Sequence, residues 1–110
     1  MSRVLELTPT EFRRRWPEAN SAGVVLLDVR EPQELMLAKV PQALHIPMRE
    51  VPQRLNELDP ATPLVVMCHS GGRSRRVAEF LATNGFEEIY NLAGGIDAWA
   101  EELDPTVPRY

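Results

Sequence analysis

The chain has 110 residues, 44% hydrophobic and 25% charged, values near the globular average, so a single folded domain over residues 1–110 is expected rather than a disordered segment. A net charge of −4 and an isoelectric point of about 5.2 argue against nucleic acid or an anionic membrane held by bulk charge. The only cysteine, Cys68, excludes an internal disulfide and a resolving thiol on the same chain; with two separated histidines it makes no metal-ligand set.

Residues 1–7 lack the apolar core of a signal peptide, and no aliphatic run is long enough to span a bilayer. The expectation is a soluble protein of the reducing cytoplasm. Residues 4–7 suggest a short edge strand. Thr8-Pro9-Thr10-Glu11 is a capping box with proline at the first helical position, and its helix should run to about Trp16, where Pro17 stops it. Phe12 and Trp16, four apart, should face the core, while Arg13, Arg14 and Arg15 read as a solvated face. Residues 24–30 form the strongest strand of the first half, and their continuous apolar run suits a parallel sheet covered on both faces. Asp28 and Arg30 fall at its carboxyl end, where sites collect in open α/β sheets. They read as a polar wall beside a site or, more commonly for such pairs, as an ion pair bracing adjacent loops. A short helix over 32–37 and a brief strand over 43–47 follow, and His45 is given no catalytic role. Val51, Leu55 and Leu58 predict a helix over 50–58 with Pro52 in its first turn.

Leu64-Val65-Val66-Met67 reads as a buried strand that runs directly into Cys68-His69-Ser70-Gly71-Gly72-Arg73-Ser74 and then a helix start. Unpaired amides at a helix N-terminus favour negative charge, and two glycines let several N–H groups point inward. A sulfur held there should be a thiolate. A helix terminus contributes only about 0.3–1 kcal/mol, whereas one pKa unit corresponds to about 1.4 kcal/mol. Inward N–H bonds and Arg73 must supply the remainder. The bland alternative is that Cys68 is buried apolar filler.

The helix after the loop should run over 73–84 with Val77, Phe80 and Leu81 as its apolar stripe, stopped by Asn84-Gly85. Residues 87–92 give a turn and a strand. Gly94-Gly95 would let the next helix start pass close to the loop; Ile96, Trp99 and Leu103 continue a helical pattern, and residues 107–110 look like a tail. Alternating strands and helices predict an α/β domain with a mainly parallel central sheet.

The loop pattern Cys-x-x-Gly-x-Arg-Ser at residues 68–74 resembles the active-site loop of rhodanese-type sulfurtransferases. Asp28-Val29-Arg30-Glu31-Pro32 is similar to that family's Asp-x-Arg-x-Pro segment, and residues 91–99 to its Asn-Leu-x-Gly-Gly-Ile-x-x-Trp ending. Where the family usually shows Gly-His-Ile, this chain has Ala38-Lys39-Val40. The loop, counted Cys68 through Arg73, has the length of the sulfur-carrying members; the related phosphatases have one residue more. The resemblance implies a rhodanese-like three-layer fold with helices flanking the sheet. It also implies a Cys68 persulfide as the working intermediate, with no other cofactor and no metal. Donors would be thiosulfate or another persulfide; acceptors would be cyanide, a small thiol or a protein thiol. A cysteine desulfurase or a sulfur-accepting protein is the candidate protein partner.

On this reading Cys68 is the nucleophile, and the loop of His69, Ser70, Gly71, Gly72 and Ser74 binds the sulfur anion through its amides. Arg73 either lowers the thiol pKa and braces the loop or turns away onto loop carbonyls. His69 is a rim residue rather than a general base, and Asp28 and Arg30 are supporting residues. Arg73, Arg75 and Arg76 would form a local basic patch that steers an anionic donor, unless the latter two are merely solvated. Two other functions compete: a phosphatase or arsenate reductase using the same Cys-Arg loop, and a non-catalytic binding module. The short loop counts against the first, and retention of Cys68 and Arg73 against the second.

Overall fold

The computed structural model describes residues 3–17 and 23–110; Met1 and Ser2 of the N-terminal stretch lie outside the described residues. Five strands, β1 (Leu5–Leu7), β2 (Val25–Asp28), β3 (Leu44–His45), β4 (Leu64–Met67) and β5 (Ile89–Leu92), form one sheet in the order β1-β5-β4-β2-β3. Every pairing is parallel. Among the described residues the helices are α1 (Pro9–Arg15), α2 (Pro32–Leu35), α3 (Gly72–Ala82) and α4 (Gly95–Glu102), with a 3₁₀ helix at Met48–Glu57. Among the described residues no helix is long and apolar enough to cross a membrane.

The sheet is buried on both faces, as its continuous apolar runs require. Successive side chains of a strand alternate between faces. Leu27, Val66, Cys68 and Ile89 therefore join one apolar cluster, with Val51 of the 3₁₀ helix and Val77 and Leu81 of α3. Leu26, Val65, Met67, Tyr90 and Leu92 join the other, with Phe12 of α1 and Ile96 and Trp99 of α4. After β2 the chain moves outward to β3; after β4 it moves the opposite way to β5. The switch point of the sheet thus lies between the carboxyl ends of β2 and β4, the place where open α/β sheets hold their ligands. Asp28 and Cys68 stand at those two ends.

Local signals account for most boundaries. The Glu11 amide donates to Thr8 Oγ1 at 3.1 Å, and the Thr8 amide donates to Glu11 Oε1 at 2.8 Å, closing the expected capping box. Two expectations need correction. The segment predicted as a helix over 50–58 is a 3₁₀ helix with a kink at Arg54, because Pro52 removes a donor inside it. Phe80 is 37% exposed rather than part of the buried stripe. It lies beside Met48, Pro52, Arg76 and Val77 on a shallow apolar groove, since the short 3₁₀ helix does not reach over it.

At Gly95 the start of α4 passes close over the loop. Its φ is +61°, and an added Cβ would clash with the carbonyl oxygens of Cys68 and His69. Gly72, by contrast, has open space around it. Gly95→Ala is therefore expected to lower stability by at least about 2 kcal/mol in urea unfolding, combining left-handed strain with displacement of the loop. Gly72→Ala should change stability by less than about 1 kcal/mol.

Candidate active site

Cys68 follows directly on β4, and its side chain is buried against the first apolar cluster. The loop beyond it curls back over the sulfur. Gly71, with φ of +112°, precedes α3, and its amide donates to Cys68 Sγ at 3.1 Å. The Ser74 hydroxyl lies 3.3 Å from the same sulfur. Burial is the largest single influence on the thiol and pushes it up. Hydrogen bonds from the Ser74 hydroxyl and from the Ser74, Gly71 and Ser70 amides together outweigh burial, so Cys68 ionises below its ordinary value.

The start of α4 sets the direction of the first of these amides, that of Ser70. At the N-terminus of α4 the Ile96 amide donates to the Cys68 carbonyl at 2.9 Å, and the Asp97 amide to the His69 carbonyl at 3.1 Å. In a trans peptide the C=O and the next N–H point opposite ways. Drawing the two carbonyls outward to α4 turns the His69 and Ser70 amides the other way, and Ser70 is one of the donors to the sulfur; the Gly71 amide is aimed by the turn in which Gly71 has positive φ. The expected close pass of Gly94-Gly95 is the contact of α4 with these carbonyls.

Arg73 turns onto a neighbouring element rather than onto loop carbonyls. Its guanidinium forms a two-pronged pair with Glu34 of α2, Nη1 to Oε1 at 2.6 Å and Nη2 to Oε2 at 2.9 Å. That tie to Glu34 is the main reason its pKa is raised, with attraction to Cys68 a smaller contribution. Arg73 holds the Glu34 carboxyl down to about 2, against the opposing effect of burial and with further help from Tyr110. The Tyr110 hydroxyl donates to Glu34 Oε2 at 2.7 Å and accepts from Arg30 Nη1 at 3.1 Å. The predicted tail is thus folded back, and the Tyr110 ring stacks on His69 with centroids 4.1 Å apart. His69 lies half-buried on the loop rim and Ser70 is exposed at its tip.

Asp28 and Arg30 are fully buried together, with Arg30 Nη2 to Asp28 Oδ2 at 2.6 Å and Nε to Oδ1 at 2.9 Å. This is the bracing ion pair, linked through Tyr110 and Glu34 to Arg73. Among the described residues no hydrogen bond joins it to the sulfur. His45 Nε2 lies 2.7 Å from the Arg30 carbonyl, in the same brace. The basic patch expected from Arg73, Arg75 and Arg76 is largely neutralised: Arg73 is bound to Glu34 and Arg75 to Glu6 at 2.6 Å, which leaves Arg76 exposed. Three contributors to the site escaped sequence reasoning. Glu34 arrives from 39 residues before Arg73. Asn91 sits inside a matched motif without an assigned job, and Tyr110 was taken for loose chain. Only Asn91 carried a signal that could have been used: a polar residue in the middle of a buried strand.

Comparisons with known proteins agree with this fold. A model of the rhodanese-like domain matches residues 8–102. The chain belongs to the rhodanese-like family. It is 36% identical over 94 residues to a thiosulfate sulfurtransferase, GlpE, of Pseudomonas syringae, covering 82% of this chain and 89% of that protein. It is 39% identical over 89 residues to an Arabidopsis thaliana chloroplastic protein named for rhodanese-like and PpiC domains; the match covers 77% of this chain but spans only 30% of that protein. Among solved structures, a rhodanese-like domain protein of Staphylococcus aureus superposes with a TM-score of 0.80 at 30% identity, over 97% of this chain and 99% of that one. The five-stranded parallel sheet is the rhodanese fold predicted from the sequence.

Two measurements follow for this rhodanese-like site. Ser74→Ala should raise the Cys68 pKa by roughly half a unit to one unit, read from the pH dependence of alkylation by iodoacetamide. Glu34, whose folded pKa lies below its ordinary 4.5, stabilises the fold above that pH and loses this contribution as pH falls toward about 2. Glu34→Gln should therefore flatten the acid limb of stability between about pH 5 and pH 2. The amount removed should be on the order of 2 kcal/mol, allowing for partial solvent screening.

Proposed function

We propose that this protein is a sulfurtransferase working through a persulfide on Cys68. The observation that carries the reading is the convergence of loop amides and the Ser74 hydroxyl on a single buried sulfur. Such a nest suits one compact anion. The Cys68 thiolate attacks the outer sulfur of thiosulfate or of a small or protein persulfide. The donor S–S bond breaks, sulfite or a thiolate leaves, and Cys68–S–S⁻ forms. A thiophilic acceptor then attacks the outer sulfur and regenerates the thiolate; with cyanide the product is thiocyanate. Each half is a two-electron displacement at sulfur, so ping-pong kinetics follow and no cofactor beyond the covalent sulfur is required. The loop amides stabilise the anion in both resting and loaded forms. With no second cysteine on the chain, the sulfur must leave on another molecule. That molecule is a small thiol, cyanide or a sulfur-accepting protein, with a cysteine desulfurase as one candidate donor, in the reducing cytoplasm.

The competing phosphatase reading loses ground on Arg73. Phosphoryl transfer from a Cys-Arg loop needs a guanidinium fork free for phosphate oxygens. Here both Nη groups are bound to Glu34. Arg73 instead braces the loop and contributes its charge through space.

Incubation with thiosulfate followed by intact-mass measurement should add one sulfur atom to the wild type and none to Cys68→Ser. Thiosulfate:cyanide activity should be lost in Arg73→Glu, which would set two carboxylates face to face beside the sulfur anion. Arg73→Lys, lacking the fork, should retain the charge but lose about tenfold in kcat/KM. A wild type that gains no sulfur supports a binding module; one that hydrolyses an aryl phosphate without moving sulfur supports the phosphatase.

A further inference from the structure

Ser74 has one hydroxyl proton and two neighbours that want it. Its Oγ lies 3.3 Å from Cys68 Sγ and 2.5 Å from Asn91 Oδ1. The orientation of the Asn91 amide follows from its other contacts. Nδ2 faces the Gly71 carbonyl at 3.1 Å and both Glu6 carboxylate oxygens at 3.1 Å, all of them acceptors. Oδ1 must therefore face Ser74, where it can only accept. The sheet register explains how these groups meet. Asn91 on β5 stands level with Glu6 on β1 and with Val66 on β4, one pleat before Cys68 on the same face. Asn91 is a nearly fully buried polar side chain that the sulfur chemistry above does not use.

We propose that Asn91 is a positioning residue that competes with Cys68 for the Ser74 proton and thereby favours the sulfur-loaded enzyme over the free thiolate. The proposal rests on the persulfide reading. Three states of the sulfur make different demands on one proton. A neutral thiol donates S–H to Ser74 Oγ while Ser74 donates to Asn91, and every group is satisfied. A free thiolate must accept from Ser74, which leaves Asn91 Oδ1 without a donor and two oxygens facing each other with no proton between them. In the loaded enzyme the negative charge moves to the outer sulfur. Sγ is then a neutral divalent sulfur, and the hydroxyl turns back to Asn91. The thiolate alone leaves a buried acceptor unsatisfied, a state that costs free energy. Loading breaks the donor S–S bond, forms the Cys68 S–S bond and expels sulfite or a thiolate. The Ser74 proton only rotates about its own oxygen, so no further reactant is needed.

The charged and titratable groups around the site are Glu6 on β1, Glu34 on α2, Arg73 and Arg75 on α3, His69 in the loop and Asp97 on α4. Removing a neutral amide changes none of these charges. The test is the pH dependence of Cys68 alkylation by iodoacetamide in the wild type, Asn91→Ala, Ser74→Ala and the double variant. Asn91→Ala alone should lower the thiol pKa, raising the thiolate about threefold to tenfold at a fixed pH below the midpoint. The same substitution in the Ser74→Ala background should shift nothing. At a fixed ratio of thiosulfate to sulfite, the ratio of loaded to free Asn91→Ala enzyme should fall by a similar factor. No shift, a rise, or an equal shift in both backgrounds overturns the proposal. Should Asn91→Ala fail to fold, Glu6→Gln on the exposed edge strand decides by the same cycle: its charge effect appears in both backgrounds, and only a Ser74-dependent part reports the amide. Alkylation needs no sulfur transfer. A protein that takes no sulfur from thiosulfate would thus sink the sulfurtransferase reading while the alkylation cycle still judged how Asn91 and Ser74 share the proton.

Discussion

The set of donors from the loop to Cys68 Sγ is the constraint on which the site depends, and the pair of hydrogen bonds from the start of α4 to the Cys68 and His69 carbonyls fixes where that loop begins. A buried sulfur anion in an apolar cluster is unfavourable unless dipoles replace the water it loses. Backbone amides can do this only if their carbonyl partners are satisfied elsewhere, because each peptide plane points both ways. The α4 amides, unpaired at a helix start, are the partners. One helix end thus completes its own hydrogen bonding and at the same time aims the start of the loop, including the Ser70 amide. Gly95 is the residue that lets the two segments approach.

Around this centre the charges are arranged so that few are left loose. Arg73 binds Glu34, Glu34 accepts from Tyr110, and Tyr110 accepts from Arg30, whose Nε and Nη2 donate to the buried Asp28. The chain of contacts fixes the loop from the α2 side, as Glu6 and Asn91 fix it from the β1–β5 side. A bidentate pair of this kind gives geometric specificity as well as energy. A loop held from both sides needs little reorganisation when charge moves from one sulfur to the next, and preorganised dipoles act most strongly in that setting.

Much of this was legible in residues that are neighbours in sequence. The Thr8–Glu11 box, the apolar runs of β2 and β4, and the glycine-bearing loop after Cys68 are local signals, and the structure places each where the pattern did. Misjudged features depend on what another segment does. Phe80 fits an apolar stripe, but a kinked 3₁₀ helix leaves it uncovered. The direction of Arg73 could not be read from its own loop, because Glu34 comes from a different element. Tyr110 reads as tail until the His69 ring and Arg30 are brought beneath it. Asn91 was visible as a motif letter, but its partner Glu6 is supplied by strand pairing across the sheet.

The most direct measurement of the central claim is an ultraviolet titration of the thiolate band of this single-cysteine protein. The loop amides and the Ser74 hydroxyl aimed at the sulfur predict a midpoint below the value of about 8.5 for free cysteine. A midpoint at or above that value would mean that burial wins over the loop dipoles, and would contradict the account.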